Sequence, residues 1–104
     1  LKIAALEQLF ILKLEAYRDR HSSAKGSKDA KDLIRIAVVS QSGEMRFNYK
    51  IASGFINDEH LRLLHEIERG SEPLALAKGN SKQAKNLREL FSKVVIGLKK
   101  EYNS

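Results

Sequence analysis

An all-α fold in a single domain is what this sequence predicts, on three observations. Apolar residues recur at intervals of three and four over most of the chain, glycines and the one proline fall singly between those stretches, and helix-capping residue types stand where the stretches begin. With 104 residues and 42% hydrophobic content, the chain can bury roughly 60–70% of the surface that its unfolded form exposes, enough for one core. Four or five helices are expected, beginning with an antiparallel helical hairpin.

The first helix covers residues 3–20, where Leu6, Leu9, Phe10, Lys13, Leu14, Tyr17 and Arg20 share the helical period without a glycine or proline. His21, Ser22, Ser23 and Gly26 make a polar turn. Ser27 is the expected cap of a second helix running to about residue 39, with Asp29 in its first turn, where the helix dipole favours an anion. Residues 42–55 carry two patterns. Met45, Phe47, Tyr49 and Ile51 alternate with polar residues as in a strand, which would form a hairpin with residues 34–41, yet Phe47, Ile51 and Phe55 also fit a helix. A short helix is preferred, because a two-stranded sheet is marginal alone. Asn57 caps the next helix, with Asp58 and Glu59 in its first turn, Leu61, Leu63, Leu64 and Ile67 as its apolar face and Gly70 at its end. A connection containing Pro73 and a helical turn over residues 74–77 leads to a last helix. That helix opens at Asn80 and Ser81 and presents Ala84, Leu87, Phe91, Val94, Leu98 and Tyr102 on one stripe. The core is therefore expected from residues 6–14, 33–39, 61–67 and 87–98.

Composition excludes several functions. No apolar run is long enough to span a bilayer, since Glu7, Lys13 and Glu15 interrupt the first one. The chain has no cysteine, so no disulfide framework or thiolate metal site is encoded, and a reducing, cytoplasmic setting fits. Its six glycines are isolated, which leaves neither a Walker-type loop nor a dinucleotide fingerprint. His60 and His65 point roughly 140° apart on a helix and cannot share a metal, so these two and His21 are expected at the surface or its rim. The formal charge of +6 makes a polyanionic partner reasonable. Lys82, Lys85, Arg88, Lys93, Lys99 and Lys100 on the last helix are the candidate nucleic-acid contacts.

Two features of the hairpin stand out. Lys13 and Arg20 share a stripe with Leu6, Phe10 and Tyr17, where a core-facing helix ordinarily carries aliphatics, so each wants an anionic partner. Asp29 and Asp32 are neighbours on the second helix. In an antiparallel hairpin Lys13 lies about 10 Å before Arg20 and Asp32 about 6 Å beyond Lys28, levels at which these side chains either form ion pairs or converge on one ligand.

The pattern Leu6-x-x-Leu9-x-x-x-Lys13-x-x-Ala16-x-x-x-Arg20, a short polar turn, then Lys28-Asp29-x-x-Asp32-Leu33, resembles the helical region that follows the catalytic sheet in the nucleotidyltransferase-fold superfamily, especially the AbiEii-like toxin group. The resemblance covers residues 6–33 well and the later helices only in general pattern. It implies Mg²⁺ and a nucleoside triphosphate as ligands of an intact protein. It implies Lys13 at the phosphates, Asp32 orienting Lys13 or an attacking group, Asp29 and Arg20 bracing them, and tRNA or another nucleic acid as an acceptor. The Gly-Ser turn and Asp-x-Asp pair of that family are not in this chain. Gly26-Ser27 with Asp29 and Asp32 does not replace them, because those acids open a helix and are not two apart as one strand face requires. The chain starts at Leu1 directly in a periodic pattern. It is therefore expected to be the C-terminal part of a longer protein, inactive alone, holding no cofactor or metal itself and relying on an N-terminal catalytic half in cis or as a second chain. A homo-oligomer is compatible with this. The alternative is a non-catalytic basic helical module that binds nucleic acid or a protein.

Overall fold

In a computed structural model the described residues, 6–20, 23–43 and 47–103, form six helices and no strand. They are α1 (Leu6–Arg20), α2 (Ala24–Ser42), α3 (Tyr49–Ser53), α4 (Asp58–Arg69), α5 (Glu72–Leu76) and α6 (Ser81–Tyr102). α1 and α2 make the expected antiparallel hairpin, and α2 packs on α6 as well as on α1, so it lies at the centre of the fold. α3 bridges α1 and α6, α4 closes against both, and α5 joins α2 to α6. The expected start of α1 at residue 3 lies outside the described residues.

The core follows the predicted stripes. Phe10 and Leu14 of α1, Leu33 and Ile34 of α2, Leu64 and Ile67 of α4, and Phe91, Val94 and Leu98 of α6 are all fully buried in one cluster. Each such side chain stabilises the fold by about 1.5–3 kcal/mol over leaving it in water. Packing of this kind holds α2 helical through Ile34, Ile36, Val38 and Val39, whose branched side chains favour strands. The alternating pattern is overridden in the same way over residues 47–51, the described part of it. Phe47 stacks edge-on against Phe10 with ring centroids 5.4 Å apart, and Tyr49 begins α3. Residues 44–46 lie outside the described set.

The six helices of the described residues exceed the four or five expected, α5 lies at Glu72–Leu76 and not at residues 74–77, and both boundaries of α2 differ from expectation. α2 begins at Ala24 with Ser23 at its N-cap, so Ser27 is inside the helix and Asp29 lies in its second turn. Ser23 donates its hydroxyl back to the Arg20 carbonyl at 2.8 Å, which tightens the hairpin turn. α2 also runs three residues past the expected end, to Ser42, where Gly43 takes the left-handed conformation (φ 84°) that terminates helices. The caps expected at Asn57 and Asn80 form, with each side chain accepting a backbone N–H three residues on at 3.0 Å.

Gly97 has a packing role. A Cβ there would come within 2.8 Å of the Tyr49 ring, so α3 reaches α6 only because this helical position has no side chain. The Tyr49 hydroxyl accepts a hydrogen bond from Gln41 of α2 at 2.8 Å, tying the three helices at one point.

Candidate functional site

The four hairpin residues singled out by sequence meet in pairs. Lys13 Nζ lies 3.0 Å from Asp32 Oδ2, and Arg20 grips Asp29 with two hydrogen bonds, Nε to Oδ2 at 3.2 Å and Nη2 to Oδ1 at 3.1 Å. Both cations sit on the flank of α1 that faces α2, which explains their place beside the apolar stripe.

The two pairs differ in environment. The Asp29 side chain is 5% exposed and Arg20 closes it off from above at 44%, the geometry of a buried charge neutralised by a fork of donors. Lys13 and Asp32 are 36% and 22% exposed. Asp32 Oδ1 accepts from Arg35 Nη1 at 2.9 Å, so both of its oxygens are engaged. Burial by itself would raise the Asp32 carboxyl, but the Lys13 ammonium, and after it the Arg35 guanidinium, hold it below its ordinary value. An anion so held can orient Lys13, and the two cations that stabilise its charge make it a weak base toward the proton of an attacking group. Lys13, by contrast, carries three donors and directs one at Asp32.

Two more polar positions of α1 serve its other flank. The buried Glu7 carboxylate accepts the backbone N–H of Asn48 ahead of α3. Glu15 Oε2 is 2.6 Å from His60 Nε2, while its other oxygen pairs with Arg18. His60 corrects the expectation of a surface histidine, for it is 3% exposed. Its Nδ1 accepts the N–H of Asn57 at 3.0 Å and completes a reciprocal cap, which leaves the ring proton on Nε2 for donation to Glu15. Capping boxes ordinarily use Glu or Gln at that position, and the partner Glu15 is 45 residues away, so local sequence held no signal for it. His65 is half-buried and pairs with Glu68 on its own helix at 3.4 Å. His21 lies outside the described residues.

On α6, Lys82, Lys85, Lys93, Lys99 and Lys100 are exposed, and none has an ion-pair partner among the described residues. Arg88 departs from that group. Its Nε donates to the Glu68 carbonyl and its Nη2 to the Gly70 carbonyl, both at 3.1 Å, so it caps the C-terminal end of α4.

Among the described residues, no three His, Asp or Glu side chains are grouped to hold a metal ion. Asp29 and Asp32 are committed to cations, so neither is free to hold the Mg²⁺ that the resemblance implies for an intact protein. No described helix is long and apolar enough to cross a membrane. The described residues form a single all-α globule, and the chain matches no protein-family model, no curated protein and no solved structure.

Proposed function

We propose that this chain is the helical part of a nucleotidyltransferase-like protein, in which α1 and α2 present Lys13 to the phosphates of a nucleotide held mainly by another segment or chain. The observation that carries the reading is the contact of Lys13 with Asp32 at 3.0 Å on a partly exposed part of the hairpin. It is the relation that the resemblance implies, with Asp32 as the positioning residue. Arg20 and Asp29 brace the turn beside it. The chemistry is transfer of a nucleotidyl group to an acceptor oxygen, to which a fixed ammonium contributes by stabilising charge on the phosphate oxygens. An acceptor such as tRNA and a cytoplasmic setting belong to the same proposal. On this reading the metal site belongs to the other segment or chain, and the helical part has no activity by itself.

The test is the coding sequence in frame with the Leu1 codon. A Gly-Ser turn followed about ten residues later by Asp-x-Asp supports the proposal, with the spacing taken as an order of magnitude for a strand-turn-strand element. A stop codon or an unrelated frame there, with no neighbouring gene that encodes those elements, overturns it.

A further inference from the structure

Charge on this molecule is unevenly distributed. Lys13, Arg18, Arg20, Arg35 and Arg62 face carboxylates, and Lys25, Lys28, Lys31, Lys50, Arg69 and Lys78, which have no ion pair among the described residues, are spread over α2, α3, α4 and the connection between α5 and α6. The α6 helix carries six cationic residues against Glu89 and Glu101, and so supplies four of the six excess positive charges of the whole chain. Its five exposed lysines stand without ion-pair partners among the described residues, and Glu89, four positions from both Lys85 and Lys93, pairs with neither.

Those lysines are also ordered in space. Lys82, Lys93 and Lys100 fall within about 20° of one another around the helix and span about 27 Å along it. Lys85 and Lys99 lie to one side, toward α4. Lys99 and Arg69 line a groove of about 590 Å³ between α4 and α6, together with Ser92. Near the start of α6, the amides of Gln83 and Asn86 line a second groove with Lys82 and Lys85. The buried face of α6 is its apolar one, with Phe91, Val94 and Leu98 in the core, which leaves Ile96 as its large exposed hydrophobic residue. A membrane surface would ask for an apolar face to insert, and this helix has none free.

We infer that the outer face of α6, with Arg69 of α4, is a binding surface for the phosphate backbone of a nucleic-acid duplex. A row of exposed, unpaired lysines with hydrogen-bonding amides and a hydroxyl beside them matches a line of phosphates, and contacts of lysine to phosphate carry no sequence information, so the main part of the affinity is independent of sequence. The inference does not rest on the nucleotidyl-transfer reading, since its residues are separate from Lys13 and Asp32. The structure also revises the membership: Arg88 serves α4 and drops out, and Arg69 enters.

The experiment is fluorescence anisotropy of the purified chain with labelled DNA and RNA duplexes of random sequence, with polyglutamate as competitor, over a salt series. Engagement of most of the five lysines gives a log–log salt slope between about −3 and −4.5, or a loss of about 60- to 500-fold in affinity from 50 to 200 mM salt. Replacing Lys82, Lys93 and Lys100 by glutamine should flatten the slope by about 2–3. Replacing Lys25, Lys28 and Lys50, which removes the same charge elsewhere, should leave it nearly unchanged. Whichever duplex binds more tightly identifies the natural form, and either supports the inference. No binding to either duplex at 50 mM salt, equal effects of the two triple variants, or equally effective binding of polyglutamate would overturn it. Unchanged melting temperatures of both triple variants separate these results from misfolding.

Discussion

Replacing Arg20 by methionine should destabilise this fold far more than the same change at Lys13, although both residues pair with a carboxylate of α2. Arg20 serves Asp29, whose side chain is 5% exposed and whose two oxygens both accept from the guanidinium. Removing one partner of a buried pair leaves a charge without compensation and costs about 3–5 kcal/mol. Water reaches the Arg20 side of the pair, at 44% exposure, so the expected loss falls to about 2–3 kcal/mol. For a domain of this size, that is a drop of about 10–20 °C in Tm. Lys13 and Asp32 are a half-exposed pair of the kind worth about 0–1 kcal/mol, so Lys13→Met should lower Tm by a few degrees at most. Urea denaturation and thermal melting followed by far-UV circular dichroism measure both. Replacing Asp29 by asparagine in the Arg20→Met background should recover part of the loss, because the buried charge is then gone. Equal losses for the two methionine variants would refute the division of the hairpin into a structural brace and an available lysine.

Other expectations follow from single contacts. Gly97→Ala gains about 1 kcal/mol in helix propensity but forces a methyl into the Tyr49 ring, for a net loss of about 1 kcal/mol. In a Tyr49→Leu background the same change should become stabilising, which a pair of denaturation curves would show. Arg88→Lys keeps the charge but loses the fork that holds the end of α4. It should cost about 1–2 kcal/mol, whereas Lys85→Ala should stay within about 0.5 kcal/mol of the parent. Asp32 titrates below its ordinary value because Lys13 and Arg35 favour the anion over its burial. Its folded value is thus below its unfolded one, so its contribution is present above the unfolded value and is lost as pH falls through the folded one. In Lys13→Met the Asp32 carboxyl carbon, followed by NMR, should titrate at higher pH, and an unchanged midpoint would contradict the assignment.

Most helices were legible in the sequence because they depend on short-range signals. Asn57, Asn80 and Gly70 mark their boundaries by residue type, and the spacing of Phe91, Val94 and Leu98 marks a buried stripe. The start of α2 was misplaced because Ser22, Ser23 and Ser27 are all cap formers, and the choice of Ser23 is made by its hydrogen bond to Arg20 across the turn. The hairpin pairs were foreshadowed by two cations on an apolar stripe facing two acids, but which cation meets which acid depends on the register of α1 on α2. Burial of His60 and capture of Arg88 depend on helices brought together from far along the chain. Neither Glu15 nor the carbonyls of Glu68 and Gly70 can be located from spacing alone. Glu7, an interruption in the apolar run as read from sequence, is a tie between α1 and the start of α3.

The proposed role of Lys13 is tested most directly by exchanging it with its partner, Lys13→Asp with Asp32→Lys, in the protein expressed with its in-frame upstream sequence or, where a neighbouring gene encodes the Gly-Ser and Asp-x-Asp elements, together with that chain. Magnesium-dependent transfer of labelled nucleotide to an acceptor is then measured beside Tm. An ion pair that only braces the hairpin survives the exchange. A lysine that stabilises charge on phosphate does not, so the account predicts a Tm within a few degrees of the parent and a loss of transfer of about 100-fold or more. Transfer at the parental rate by the exchanged protein, or no transfer by the parent, would contradict it.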